Sequence, residues 1–201
     1  MKMTLPDRIL LLLTCLLAAY EIVVGINDLS TPPIIAYTIA FGVLLVATLL
    51  LLILGFDVLD SPVVVIVATI IPLSLSTGLA WEHIPGWRSA YLLFAIVGFL
   101  AVLITRIFPM PGNLPIFVVT FVHGVAGLVI FLLPIVLVLQ GQANPGFALV
   151  GVGGALIGAG GLSLFFLKAG KPLLSREKIL KILPGLLWLM TTCFVIGFHL
   201  A

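Results

Sequence analysis

Seven stretches of roughly twenty mainly apolar residues, each the length needed to cross the hydrocarbon of a bilayer as a helix, constrain this chain more than any other feature. They fall at about 9–27, 34–55, 61–81, 89–108, 115–139, 146–168 and 178–200, with ends good to a few residues. The connectors 27–33, 55–62, 82–87, 109–115 and 140–146 are short and carry proline or glycine, which interrupt helices. The last connector, 168–181, is the longest and most basic.

Only 8% of the residues are charged and 63% are hydrophobic. A soluble domain carries about 25% charged residues, and a water-facing surface built from this composition would aggregate. In lipid the objection disappears, because apolar side chains face outward at no cost and helices satisfy their own backbone. The expected fold is therefore all-α: a polytopic integral membrane protein, one domain spanning residues 1–201, built as a seven-transmembrane-helix bundle. The lipid bilayer is the first expected partner. The net charge of +2, with no basic stripe, excludes nucleic acid.

The short basic segment 1–8 followed by an apolar run to about residue 26 exceeds the apolar core of a signal peptide and reads as a first spanning helix. Thr14 before Cys15 speaks against a lipoprotein site. Cys15 and Cys193 lie in apolar runs without a CxxC spacing and read as small buried hydrophobes.

Alternate loops divide the cations unequally. Eight of the nine Lys and Arg residues (Lys2, Arg8, Arg106, Lys168, Lys171, Arg176, Lys178 and Lys181) fall on one side, and Arg88 on the other. The positive-inside rule then places the N-terminus in the cytoplasm and the C-terminus outside, in a plasma (inner) membrane. Trp81 and Trp87 sit where an outer aromatic belt belongs.

Two longer-range patterns stand out. Gly42, Gly98 and Gly154 are each 56 residues apart and Pro72 and Pro184 are 112 apart, which suggests one helix followed by three similar helical hairpins. Gly151, Gly154, Gly158 and Gly161 share one face of the sixth segment, with Gly154 and Gly158 forming a GxxxG pair suited to close helix packing or to an oligomer interface.

Ionisable groups within spans are costly and mark functional candidates. On the outer side these are Glu21, Glu82, His83 and His199, a set suited to a divalent metal or, through the two histidines, to haem. His123, among glycines in the inner half of the fifth segment, is expected to hydrogen-bond a neighbouring helix; Arg106 is expected to snorkel. No GxSxG, HExxH or P-loop is present, so no catalytic residue is assigned and the reading leans away from an enzyme. Three functions remain open. The first is a non-catalytic membrane subunit that packs with partner helices, or with further copies of itself, or holds an apolar ligand such as a quinone, pigment or lipid. The second is a small-solute transporter or channel, with Pro72, Pro134 and Pro184 breaking helices. The third is a metal- or haem-dependent redox protein.

Overall fold

The computed structural model describes residues 3–26, 29–110, 112–168 and 174–201, leaving aside the side chains of 164, 165 and 168. Lys2, Lys171 and the side chain of Lys168, which contribute to the charge asymmetry, lie outside this description. Seven α-helices account for almost all of the described chain: α1 Leu5–Val24, α2 Thr31–Leu54, α3 Pro62–His83, α4 Arg88–Ile107, α5 Leu114–Leu139, α6 Ala148–Lys168 and α7 Arg176–His199. Short 3₁₀ turns at Phe56–Asp60, Pro85–Trp87 and Pro145–Phe147 complete the connectors.

The helix ends follow local chemistry. Helix α1 starts at Leu5 rather than near residue 9, because Thr4 and Asp7 form a reciprocal capping box and Pro6 occupies the first turn. It ends where Gly25 takes a positive φ of 71°. Helix α3 continues through Trp81, Glu82 and His83, so these residues are helical rather than loop. Helix α7 begins at Arg176, capped by Ser175, and draws Lys178 and Lys181 into its first turns. Six helices are long and apolar enough to cross a membrane. Helix α1 is the exception in composition, since it carries Asp7, Arg8 and Glu21.

The helices α1, α2, α3, α5, α6 and α7 pack successively against one another and close into a ring through the α1–α7 contact. Helix α4 stands outside, against α3 and α5. The expected helical hairpins are present as neighbours, but α4 does not occupy a place equivalent to α2 or α6. The three glycines of the 56-residue spacing differ accordingly: a Cβ on Gly42 would meet nothing within 4 Å, on Gly98 it would meet Val122, and on Gly154 the backbone of α5.

Large side chains fill the ring. Phe41, Leu75, Leu79, Ile130, Met190 and Phe194 are fully buried within it, joined at one end by Tyr37, Phe147 and Phe198. A smaller cluster of Leu73, Ala95, Val102, Val122 and Ala126 seats α4 on α3 and α5. Burying each such side chain contributes about 1.5–3 kcal/mol where the alternative is water, but against lipid the gain comes from close packing instead.

The chain ends define two ends of the bundle. Arg176 Nη2 bonds Asp60 Oδ2 at 2.6 Å, and Leu11, Leu51, Phe56 and Leu180 pack together, so the starts of α1 and α7 share one end with the 3₁₀ turn after α2. This is the basic end. At the far end Glu21 meets His199, Ser30 donates to Glu82, and His83 packs at a tilt against Phe147.

Proline does not break the helices that contain it. Pro72, Pro134 and Pro184 are buried inside α3, α5 and α7, which run on uninterrupted. Hydroxyls are equally self-contained. Ten Ser and Thr side chains donate to carbonyls three or four residues earlier in their own helix, among them Ser76 to Pro72 at 2.6 Å and Thr77 to Leu73 at 2.6 Å.

The glycine face of α6 is only half used. A Cβ on Gly151 or Gly154 would lie 2.7–2.8 Å from main-chain atoms of Phe131 in α5, whereas Gly158 and Gly161 meet nothing within 4 Å among the described residues. On the opposite side Gly153 lets Phe194 of α7 approach, a contact the stripe does not include, and Gly197 of α7 lies against the backbone of α6. Gly154→Ala is therefore expected to destabilise the detergent-solubilised protein by about 1–3 kcal/mol, because backbone cannot move aside as a side chain can. Gly158→Ala should leave the melting temperature unchanged or slightly raised. Equal losses in a thermal-shift series would refute this division of the stripe.

Candidate functional site

The polar residues singled out in the sequence gather at the far end, but as two pairs rather than one cluster. In the first pair, Glu21 rises from the last turn of α1 and His199 from the last turn of α7. The His199 Nε2 lies 3.2 Å from Glu21 Oε2, close enough for an ion pair yet without the alignment of a hydrogen bond. The Glu21 side chain is 2% exposed and that of His199 27%. Tyr20 meets the His199 ring edge-on at 5.7 Å between centroids. In the second pair, Glu82 Oε2 accepts a long hydrogen bond of 3.4 Å from Ser30, and His83 packs its ring on Phe147 at 5.3 Å. Ring contacts run from His83 through Phe147 and Phe198 to Tyr37.

No group of three or more His, Cys, Asp or Glu side chains suited to one metal ion forms among the described residues. The four-residue divalent-metal arrangement expected from sequence is thus not assembled, because Glu82 and His83 engage Ser30 and Phe147 and not the Glu21–His199 pair. The same partners draw the two imidazoles into different contacts, which does not favour a shared axial-ligand role.

Glu21 is also one of the residues around a small cavity of about 20 Å³ between α1 and α2, with Ile22, Gly25, Ile34, Tyr37, Thr38 and their neighbours, although its carboxylate oxygens are themselves fully buried. That volume holds about one water-sized particle. Tyr37 is fixed by close packing: its ring sits in the notch at Gly78, where an added Cβ would be 2.5 Å away, and lies tilted against Phe198 at 4.7 Å between centroids. Sequence reading passed over Tyr37 and Thr38. The available signal was depth, since a short α1–α2 connector sets residues one to two turns before it against residues one to two turns after it.

His123 is not tied to a neighbouring helix as expected. Its Nδ1 lies 3.0 Å from Val119 O, one turn back in α5, so the ring is held by its own helix. Three groups remain buried without a hydrogen-bond partner among the described residues: the Glu21 carboxylate, the Tyr91 hydroxyl and Arg106 Nε. Tyr91 points toward Ser76, whose hydroxyl is already committed to Pro72 O. Cys15 and Cys193 are buried and unpaired.

No protein-family model, curated protein or solved structure matches this chain. The functional reading rests on the geometry alone.

Removing His199 takes away the side chain that faces the buried Glu21 carboxyl at 3.2 Å in an apolar setting. His199→Ala is expected to destabilise the protein by about 1–2 kcal/mol, and Glu21→Leu combined with His199→Leu should recover most of the loss. A double-mutant cycle with no coupling would show that the contact contributes nothing.

Proposed function

We propose that this chain is a non-catalytic, multi-pass subunit of a plasma (inner) membrane that acts through helix packing, by joining partner helices or retaining an apolar ligand of the quinone, pigment or lipid class. The single observation that carries this reading is the filled interior of the helical ring. Phe41, Phe194, Met190 and Leu75 occupy the space where a solute path would run. A transporter needs polar groups or opened backbone at mid-depth. Here the prolines leave α3, α5 and α7 continuous, and ten hydroxyls bond within their own helices.

The outer surface supports the same reading. Helix α4 stands off the ring and turns Leu93, Ile96, Val97, Leu100 and Ile104 outward. In a bilayer this face meets lipid or another apolar helix. Six apolar helices support membrane residence. We infer that α1 spans as well, with Asp7 and Arg8 at the headgroup level, which gives seven crossings with the basic end in the cytoplasm.

Native mass spectrometry of the full chain extracted in mild detergent tests the function. Retained partner subunits, further copies of the chain or a stoichiometric apolar ligand are the expected outcome. A bare monomer that also carries solute across proteoliposomes would overturn it. Orientation is tested with an impermeant maleimide on intact cells, after replacing Cys15 and Cys193 with alanine. Gln142→Cys is expected to react and Asn113→Cys to be protected, and the reverse pattern would invert the topology.

A further inference from the structure

The basic end of the bundle carries two charged side chains that the fold leaves without a partner. Arg8 stands in the first turn of α1, and Asp57 in the 3₁₀ turn that follows α2. Both line one cavity, yet they lie beyond ion-pair distance of each other. Neither side chain makes a hydrogen bond or ion pair among the described residues. The neighbouring carboxylates are committed. Asp60 holds Arg176 at 2.6 Å, and Asp7 closes the capping box with Thr4.

The cavity has a volume of about 300 Å³, at the lower end of the range of about 300–1,000 Å³ that small-molecule sites occupy. Met3, Ile53, Leu54 and Phe56 form its apolar walls. Ile53 and Leu54 are 73% and 59% exposed. Charges and bare apolar side chains thus meet at one groove, as headgroups and acyl chains meet in a bilayer. Two helix ends of opposite polarity border it. The start of α1 is an N–H end and the end of α2 a carbonyl end. Arg8 reinforces the positive edge and Asp57 the negative one. A complementary ligand carries one anion and one cation a few atoms apart, joined to an apolar tail. A purely anionic lipid would be repelled by Asp57, and a metal cation by Arg8.

We propose that this groove binds one zwitterionic phospholipid with a primary-amine headgroup, of the phosphatidylethanolamine class, in the leaflet at the basic end. The Arg8 guanidinium donates to the phosphodiester oxygens. The lipid ammonium donates to the Asp57 carboxylate, and an acyl chain lies along Ile53 and Leu54. The primary amine decides the choice of lipid, because it brings three N–H donors to the carboxylate. The trimethylated ammonium of phosphatidylcholine has the same charge and no donor. Bound, the lipid ties the start of α1 to the end of α2. The inference rests on the placement of Asp7 and Arg8 at the headgroup level proposed above. It holds whichever partner helices or interior ligand the bundle has.

The test is native mass spectrometry of the full chain in detergent, titrated with phosphatidylethanolamine, phosphatidylcholine or phosphatidylglycerol of identical acyl chains. One phosphatidylethanolamine per chain is expected, bound about tenfold more tightly than either other lipid, the effect of one charge-assisted hydrogen bond. Asp57→Asn should weaken phosphatidylethanolamine about tenfold and let phosphatidylglycerol bind as well. Arg8→Gln should weaken all three lipids. Asp60→Asn, which removes an exposed carboxylate from the same turn, should leave the preference unchanged. All three positions are exposed, so the variants keep the fold. Equal binding of the three lipids, a preference that survives Asp57→Asn, or one lost equally in Asp60→Asn would each overturn the proposal. So would displacement of the lipid by an equal concentration of glycerophosphoethanolamine, which would assign the groove to a soluble zwitterion. Partner subunits retained with no lipid preference would sink this site and leave the proposed function standing. A solute-carrying monomer that still selects phosphatidylethanolamine would do the reverse.

Discussion

Every polar group within an apolar medium must find its partner close by, and this requirement governs the bundle more than the burial of any hydrophobic residue. Lipid is as apolar as leucine, so sequestering leucine from it brings little gain. An unmet N–H, carbonyl or hydroxyl costs several kcal/mol. The helices meet the need locally. Backbone groups pair within each helix, and hydroxyls such as those of Thr14, Thr69, Thr120 and Thr191 turn back on their own carbonyls. Once those demands are met, the remaining freedom goes into shape. Glycine notches at positions 78, 151, 153, 154 and 197 let neighbouring helices and rings approach closely.

The exceptions to local satisfaction are therefore informative. His123 conforms, with its ring on Val119 O. Glu21 does not. It sits where three elements meet, α1, α2 and α7, and each brings something different: a carbonyl-rich helix end, a hydroxyl and an aromatic ring, and an imidazole.

Much of the fold was legible in the sequence. The length of the apolar runs fixed the number of helices, and proline and glycine fixed the connectors to within a few residues. The start of α1 was misjudged because the capping box of Thr4 and Asp7 makes polar residues good helix starters, which hydropathy does not register. The place of α4 outside the ring was not legible at all, since nothing in a hydrophobic pattern says which neighbour a helix prefers. Of the site, Glu21 and His199 were identified and do meet, whereas Glu82 and His83 share their end of the bundle but face other partners. Distance across a bundle depends on helix order around the ring, which the sequence conceals. The GxxxG pair is divided for the same reason: Gly154 lies against α5, while Gly158, one turn on, meets nothing within 4 Å among the described residues.

The contact of α1 with α7 joins the first helix of the chain to the last. Translation delivers these two helices in that order, separated by everything between them. Until the ribosome has made the end of α7, the flank of α1 that it will cover stays open, and Glu21 waits without the imidazole of His199. Closure of the ring thus waits for the last helix to be made, and until then the chain is an open crescent whose buried-to-be carboxyl belongs to the helix made first.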